Sequence, residues 1–213
     1  MSMSNWQIKN ITLISRSNPR YVVHCREQIA FKNSIPKERV VDPQQVVTAW
    51  AESSINRLLG KYYESDDRSI LTWEELGAAG SYRRKYRELD GLFKSANELL
   101  YVETKASTSN SSIKKGRSQI NKNLQMLSGI NSAFSALLVL CDCHVLDQEF
   151  GVMSPEMSSQ ILTSNEYSIF QGIADIPKII PNTKSIWIID ESSVLELVKL
   201  FGPPVDEFNS PDF

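Results

Sequence analysis

Two extended apolar runs joined by a short polar turn set the tightest limit on what this chain can build. They are "KYRELDGLF" (Lys85–Phe93) and "ELLYVETKA" (Glu98–Ala106), with "KSAN" between them. Side chains alternate along a strand, so Leu100, Val102 and Thr104 point one way and Tyr101, Glu103 and Lys105 the other. Strands disfavour Asp, Glu and Lys, and charges in a strand apolar enough to lie centrally need partners or a purpose. Glu103 and Lys105 sit roughly 6.6 Å apart along one face. Pairing the runs as a hairpin with Lys94 opposite Asn97 sets Asp90 opposite Tyr101, on that same face and about 7 Å diagonally from Glu103. A one-residue slip would turn Asp90 to the other side.

Two carboxylates at that range can share a divalent cation through hard oxygen ligands, and Mg²⁺ (or Mn²⁺) suits such a site. A bound cation acidifies a water and neutralises phosphate charge. A lysine beside it can orient or deprotonate that water and offset negative charge as the transition state forms. Asp90, Glu103 and Lys105 therefore form a compact set for hydrolysing a phosphodiester.

The rest of the chain frames this hairpin. "IKNITLIS" and "YVVHCREQIAF" are expected to be two strands joined at "RSNPR". "DPQQVVTAWAESSINRLLG" is expected to be a helix: Asp42 caps it, Pro43 takes the first helical position, Gln45 has capping-box spacing and Gly60 closes it. Val47, Trp50, Ala51, Ser54, Ile55 and Leu58 form its apolar stripe. "SILTWEELGAAG" reads equally as a short strand with a turn or as a helical stub. After the Ser/Asn-rich loop "STSNSS", a helix is expected from about Ile113 to Ser128, with Gly116 in its first turns. "AFSALLVLCDCHV" and "SIWIID" are buried-strand runs. "VLELVKLF" is a last helix with Ser192 or Ser193 as its cap, and "GPPVDEFNSPDF" is a tail. This order predicts a single α/β domain.

"ELDGLF" followed by "YVETKAS" resembles the PD-(D/E)xK nuclease superfamily, whose fold is restriction-endonuclease-like. Asp90 matches the aspartate ending the motif's first half, and Glu103-Thr104-Lys105 matches its E-x-K half. The resemblance covers roughly residues 42–145 and includes the order of elements. It implies a central mixed β-sheet flanked by helices as the core, with 1–41 and 146–213 as N- and C-terminal additions. It also implies a glutamate on the first helix, matched by Glu52, and a glutamine on the helix after E-x-K, matched by Gln119. On this resemblance Asp90 and Glu103, with the Thr104 carbonyl and Glu52, would hold Mg²⁺ or Mn²⁺, and Lys105 would polarise the attacking water. The implied activity is a DNA endonuclease that leaves a 5′-phosphate and a 3′-hydroxyl, with RNA open as a substrate. Leu89 stands where the motif's proline would be. Asn123 stands four residues after Gln119, where the exonuclease-type branch carries a tyrosine.

Two basic clusters flank the motif: Arg83, Arg84, Lys85 and Arg87 before its first half, and Lys114, Lys115 and Arg117 after its second. Near a cleft they would contact phosphates without reading bases; otherwise they are solvated charge runs. The net charge of −2 gives no global basic field, which excludes a histone-like coating role. Cleavage of both strands by one such site implies a homodimer or a partner subunit. Three cysteines are too few for a disulfide framework. "CDCH" lacks a second pair of zinc ligands. "MSMSNWQIKN" has no apolar leader and no run is long enough to span a membrane, so a cytoplasmic protein is expected. Two other readings stay open: a nuclease fold that only binds or scaffolds nucleic acid, and an unrelated α/β interaction module.

Overall fold

The computed structural model describes residues 8–34, 42–95, 98–130, 132–163, 165–178 and 184–205. In chain order the elements are β1 (Ile8–Ile14), α1 (Pro19–Ser34), α2 (Pro43–Leu59), β2 (Glu64–Ser65), β3 (Ile70–Leu76), β4 (Tyr82–Glu88) and β5 (Gly91–Ser95). They continue with β6 (Glu98–Lys105), α3 (Asn110–Leu127), β7 (Ala133–Cys141), α4 (Pro155–Leu162), β8 (Ser168–Gln171), β9 (Lys184–Ile189) and α5 (Glu191–Phe201). The central sheet is mixed and six-stranded, in the order β2-β5-β6-β7-β9-β8. Its β2, β5 and β6 run antiparallel, and β6, β7, β9 and β8 pair in parallel. A second, antiparallel sheet has the order β1-β3-β4.

Helices cover both faces of the central sheet, as a parallel-rich sheet requires. On one face Ala51, Ile55 and Leu59 of α2 and Val194 and Leu197 of α5 pack against Leu100, Val102, Leu137, Val139 and Trp187. On the other face α3 packs Ile113, Ile120 and Leu127 against Tyr101, Leu138 and Ile186, and Leu71 and Trp73 of β3 join the same cluster. Gly116 makes the α3 contact possible, because a Cβ there would lie 2.5 Å from Leu138 Cδ1. Among the described residues no helix is long and apolar enough to cross a membrane.

Several expectations are corrected. Residues 21–31 are helical, not a strand: Asn18 Oδ1 accepts from the Arg20 N–H, Pro19 opens the helix, and Arg26, Glu27, Gln28 and Ala30 favour it. The run 85–93 is not one strand. It breaks at Leu89–Asp90, with β4 in the small sheet and β5 in the central one. The hairpin register also differs from the expected one. Ser95 faces Glu98 and Leu92 faces Tyr101, so Asp90, one step before the Gly91–Val102 pair, comes level with Glu103. This is a two-residue shift, which preserves facing; the turn residues Ala96 and Asn97 lie outside the described residues. Asp190, not a serine, caps α5 by accepting from the Ser193 N–H. The ambiguous stretch at 69–80 is a strand, β3, followed by a turn. The expected α2 forms, with Asp42 capping through the Gln44 N–H.

Candidate functional site

Asp90 occupies the point where the chain passes from the small sheet into the central one. Two bonds fix that crossing. Asn56 Nδ2 of α2 donates to the Asp90 carbonyl at 2.6 Å. The Asp90 carboxylate accepts from the Thr104 N–H at 2.8 Å, so the side chain takes over the ladder position that β5 has vacated. Gly91 is required beside it, because a Cβ there would fall 2.5 Å from Asn56 Oδ1. The N–H and C=O of a strand residue point to the same edge, so the Thr104 carbonyl also points toward Asp90.

Glu103 follows on β6 and is 2 % exposed. Lys105 Nζ donates to its Oε1 at 2.6 Å. Tyr101 Oη, two residues earlier on the same face, donates to Oε2. Glu52 approaches from α2, which packs on the opposite face of β6, and is half-buried. These charges act on one another. The Asp90 carboxyl is pushed up to about 7, first by burial and then by the negative charge of Glu103, with the Thr104 N–H opposing. Burial also raises Glu52, against the pull of Lys105 and with a push from Glu103 and Glu88. The charges of Glu52, Asp90, Glu103 and Lys105 thus act on one another.

The site opens into a cleft of about 730 Å³ whose walls include Arg16, Glu52, Asn56, Arg57, Glu88 and Asp90. Glu88 belongs to "ELD" yet has no part in the sequence pattern; it accepts from Tyr21 Oη and pairs with Arg16 at 3.5 Å. Arg57 and Lys61, both on the cleft wall, lie over the Phe201 ring at 4.4 and 5.1 Å. No sequence motif marks these cations, since they come from separate elements.

The two basic clusters, open in the sequence as phosphate contacts or as solvated charge runs, do not line this cleft. Alternation on β4 divides the first between two faces: Arg84 shares a face with Tyr86 and Glu88, and Arg83, Lys85 and Arg87 point the other way. Arg84 pairs with Glu74 at 2.9 Å. Arg87 turns inward and donates to Asn123 on α3. Arg117 pairs with Glu166 at 2.7 Å and lies 4.9 Å over the Tyr167 ring. Arg83, Lys85, Lys114 and Lys115 are exposed. Gln119 is also exposed, outside the buried stripe of α3, and it is Asn123 that faces β6.

The donors gathered here are hard oxygens with excess negative charge, the chemistry that suits Mg²⁺ or Mn²⁺. Asn56 Oδ1 is buried without a hydrogen-bond partner beside Asp90, so one more hard oxygen stands unused there. The fit is chemical rather than tightly preformed: among the described residues no three His, Cys, Asp or Glu side chains converge as a ready metal group. "CDCH" supplies no such site either, because Cys141 and Cys143 are buried free thiols whose pKa burial raises. No family model, curated protein or solved structure matches this chain.

Proposed function

We propose that the protein is a metal-dependent nuclease of the PD-(D/E)xK type, acting as an endonuclease on DNA. The observation that carries this reading is the Glu103–Lys105 pair, its carboxylate buried, set beside Asp90, which stands on the wall of an open cleft. Burying like charges is costly unless a cation or a function compensates. Here the charges of two further carboxylates, Glu52 and Asp90, bear on the pair. The order α2, β5–β6, α3, β7 is the element order of the restriction-endonuclease-like core and supports the same reading.

In this reading Asp90 and Glu103 would hold Mg²⁺ or Mn²⁺, with the Thr104 carbonyl and Glu52 assisting. The bound cation would supply an acidified water and neutralise phosphate charge. Asp90 is aimed by the Thr104 N–H and the Asn56 clamp on its carbonyl. Lys105, its side chain 22 % exposed, can move from Glu103 to a water and polarise it. Arg16, Arg57 and Lys61 receive the backbone phosphates on the cleft wall. Arg83, Lys85, Lys114 and Lys115 extend that positive surface outside the cleft. A homodimer or partner subunit would provide the second cut of a duplex.

One observation favours a second reading, a nuclease fold that binds nucleic acid without cutting it: both Glu103 oxygens are already engaged, by Lys105 and Tyr101. The two readings separate in one assay. Circular DNA, linear DNA and RNA are incubated with Mg²⁺, Mn²⁺ or EDTA, and wild type is compared with Asp90→Ala and Lys105→Ala. The nuclease reading expects metal-dependent nicking or linearisation of the circle. Each variant should lose about a hundredfold or more, on the scale of a lost charge-stabilising group. Binding with no cleavage in either metal selects the second reading, and cleavage that survives both substitutions rules out the mechanism.

A further inference from the structure

A directed chain of hydrogen bonds runs from the small sheet to Glu103. Arg87 Nη1 of β4 donates to Asn123 Oδ1 of α3. Asn123 Nδ2 donates to Tyr101 Oη at 2.7 Å. Tyr101 Oη donates to Glu103 Oε2. Donor chemistry fixes the polarity of every link. A guanidinium can only donate, so the Asn123 amide must present its oxygen to Arg87 and its nitrogen to Tyr101. The tyrosine hydroxyl then accepts from Asn123, and its single proton is left for Glu103. Lys105, also a donor only, engages the other oxygen of Glu103 at 2.6 Å. Asn123 and Tyr101 are 1 % and 0 % exposed, so water does not compete for these bonds.

We infer that Tyr101 and Asn123 are positioning residues for Glu103: anchored on Arg87, they reserve its Oε2 and leave only the Oε1 side for a cation. This rests on the nuclease reading and adds to it a choice of ion. A carboxylate limited to one oxygen suits Mg²⁺, which demands near-octahedral geometry. Ca²⁺ readily takes both oxygens of one carboxylate. Lys105 can leave Oε1 because its side chain is partly exposed, and Tyr101 has no such exit. Arg87 is therefore the charged anchor of the chain and not a phosphate contact.

The test is calorimetric titration of the whole protein with Mg²⁺ alone and with Ca²⁺ alone, without nucleic acid. It is run on wild type, Tyr101→Phe and Asn123→Ala, each checked for a cooperative melt. Freeing Oε2 should raise the ratio of Ca²⁺ to Mg²⁺ affinity by about fivefold or more in Tyr101→Phe, and in the same direction in Asn123→Ala. A merely structural role would weaken both ions together and leave the ratio where it was. If Tyr101→Phe does not fold, Asn123→Ala decides alone. A ratio within about twofold of wild type in the folded variants overturns the inference while leaving the nuclease reading standing. Wild-type protein that binds neither ion overturns both.

Discussion

At the scale of single residues, Asp90 sets the energetics of the site. In the unfolded chain its carboxyl titrates at its ordinary value of 3.8, and in the folded protein at about 7. Between those values the folded state holds a proton that the unfolded state has released. Stability from this group is therefore present at low pH and is lost as pH rises through the window. In EDTA this group should make the protein melt at a lower temperature at pH 8 than at pH 5. Asp90→Asn keeps an acceptor for the Thr104 N–H and removes the charge. It should raise the pH 8 melting temperature by about 2–4 °C per kcal/mol of relieved repulsion and flatten the dependence, while abolishing cleavage. An unchanged melting profile in Asp90→Asn would show that the carboxylate is not crowded. The legibility of the site follows the same physics. Glu103 and Lys105 are two residues apart on one strand, and strand alternation alone brings them together. Arg87 meets Asn123, and Asn123 meets Tyr101, through tertiary packing, which no local spacing encodes. Gln119 fits the helix position by count but not by facing, since the buried stripe of α3 runs through Gly116, Ile120 and Asn123.

At the scale of elements, the decisive feature is the break between β4 and β5. The sequence reads there as a single strand from Lys85 to Phe93. The break exists because Asn56, far earlier in the chain, holds the Asp90 carbonyl and leaves no room for a Cβ at the next residue. Gly91→Ala must therefore displace Asn56 or the Asp90 peptide. A loss of about 1–3 kcal/mol in chemical unfolding is expected, as for overpacking elsewhere. Cleavage should fall further than stability does, because the displaced peptide is the one carrying the carboxylate. Stability and activity within error of wild type would contradict the clamp. Capping decided what was legible among the helices. Asp42-Pro43 announced α2, whereas Asn18-Pro19 carried the same start signal for α1 and was outweighed by Val22 and Val23, whose β-branching suggests a strand.

At the scale of the whole molecule, the succession of periodicities reads as an α/β domain, and the central mixed sheet flanked by helices is what the family resemblance implies. The division into two sheets was not legible, because β3 and β4 look like further strands of one meander. That division has a functional side. The cleft lies along the crossing between the sheets, and its cations come from a loop, Arg16, and from α2 and its exit, Arg57 and Lys61. Binding of a DNA duplex in Ca²⁺ or EDTA should weaken with salt. Arg57→Ala and Lys61→Ala should each lower the log–log slope by about 1, with little change between sequences. Equal losses from Lys114→Ala and Lys115→Ala would place the nucleic acid on α3 instead. The parallel pairing has a consequence in time. β6 gains its neighbour β7 early in synthesis, but β7 waits for β9, and the helix α5 that seals the α2 side comes later still. A chain still emerging from the ribosome therefore carries Asp90, Glu103 and Lys105, and nearly all of the cleft wall beside them, before β9 and α5 complete the sheet and the core on which they rest.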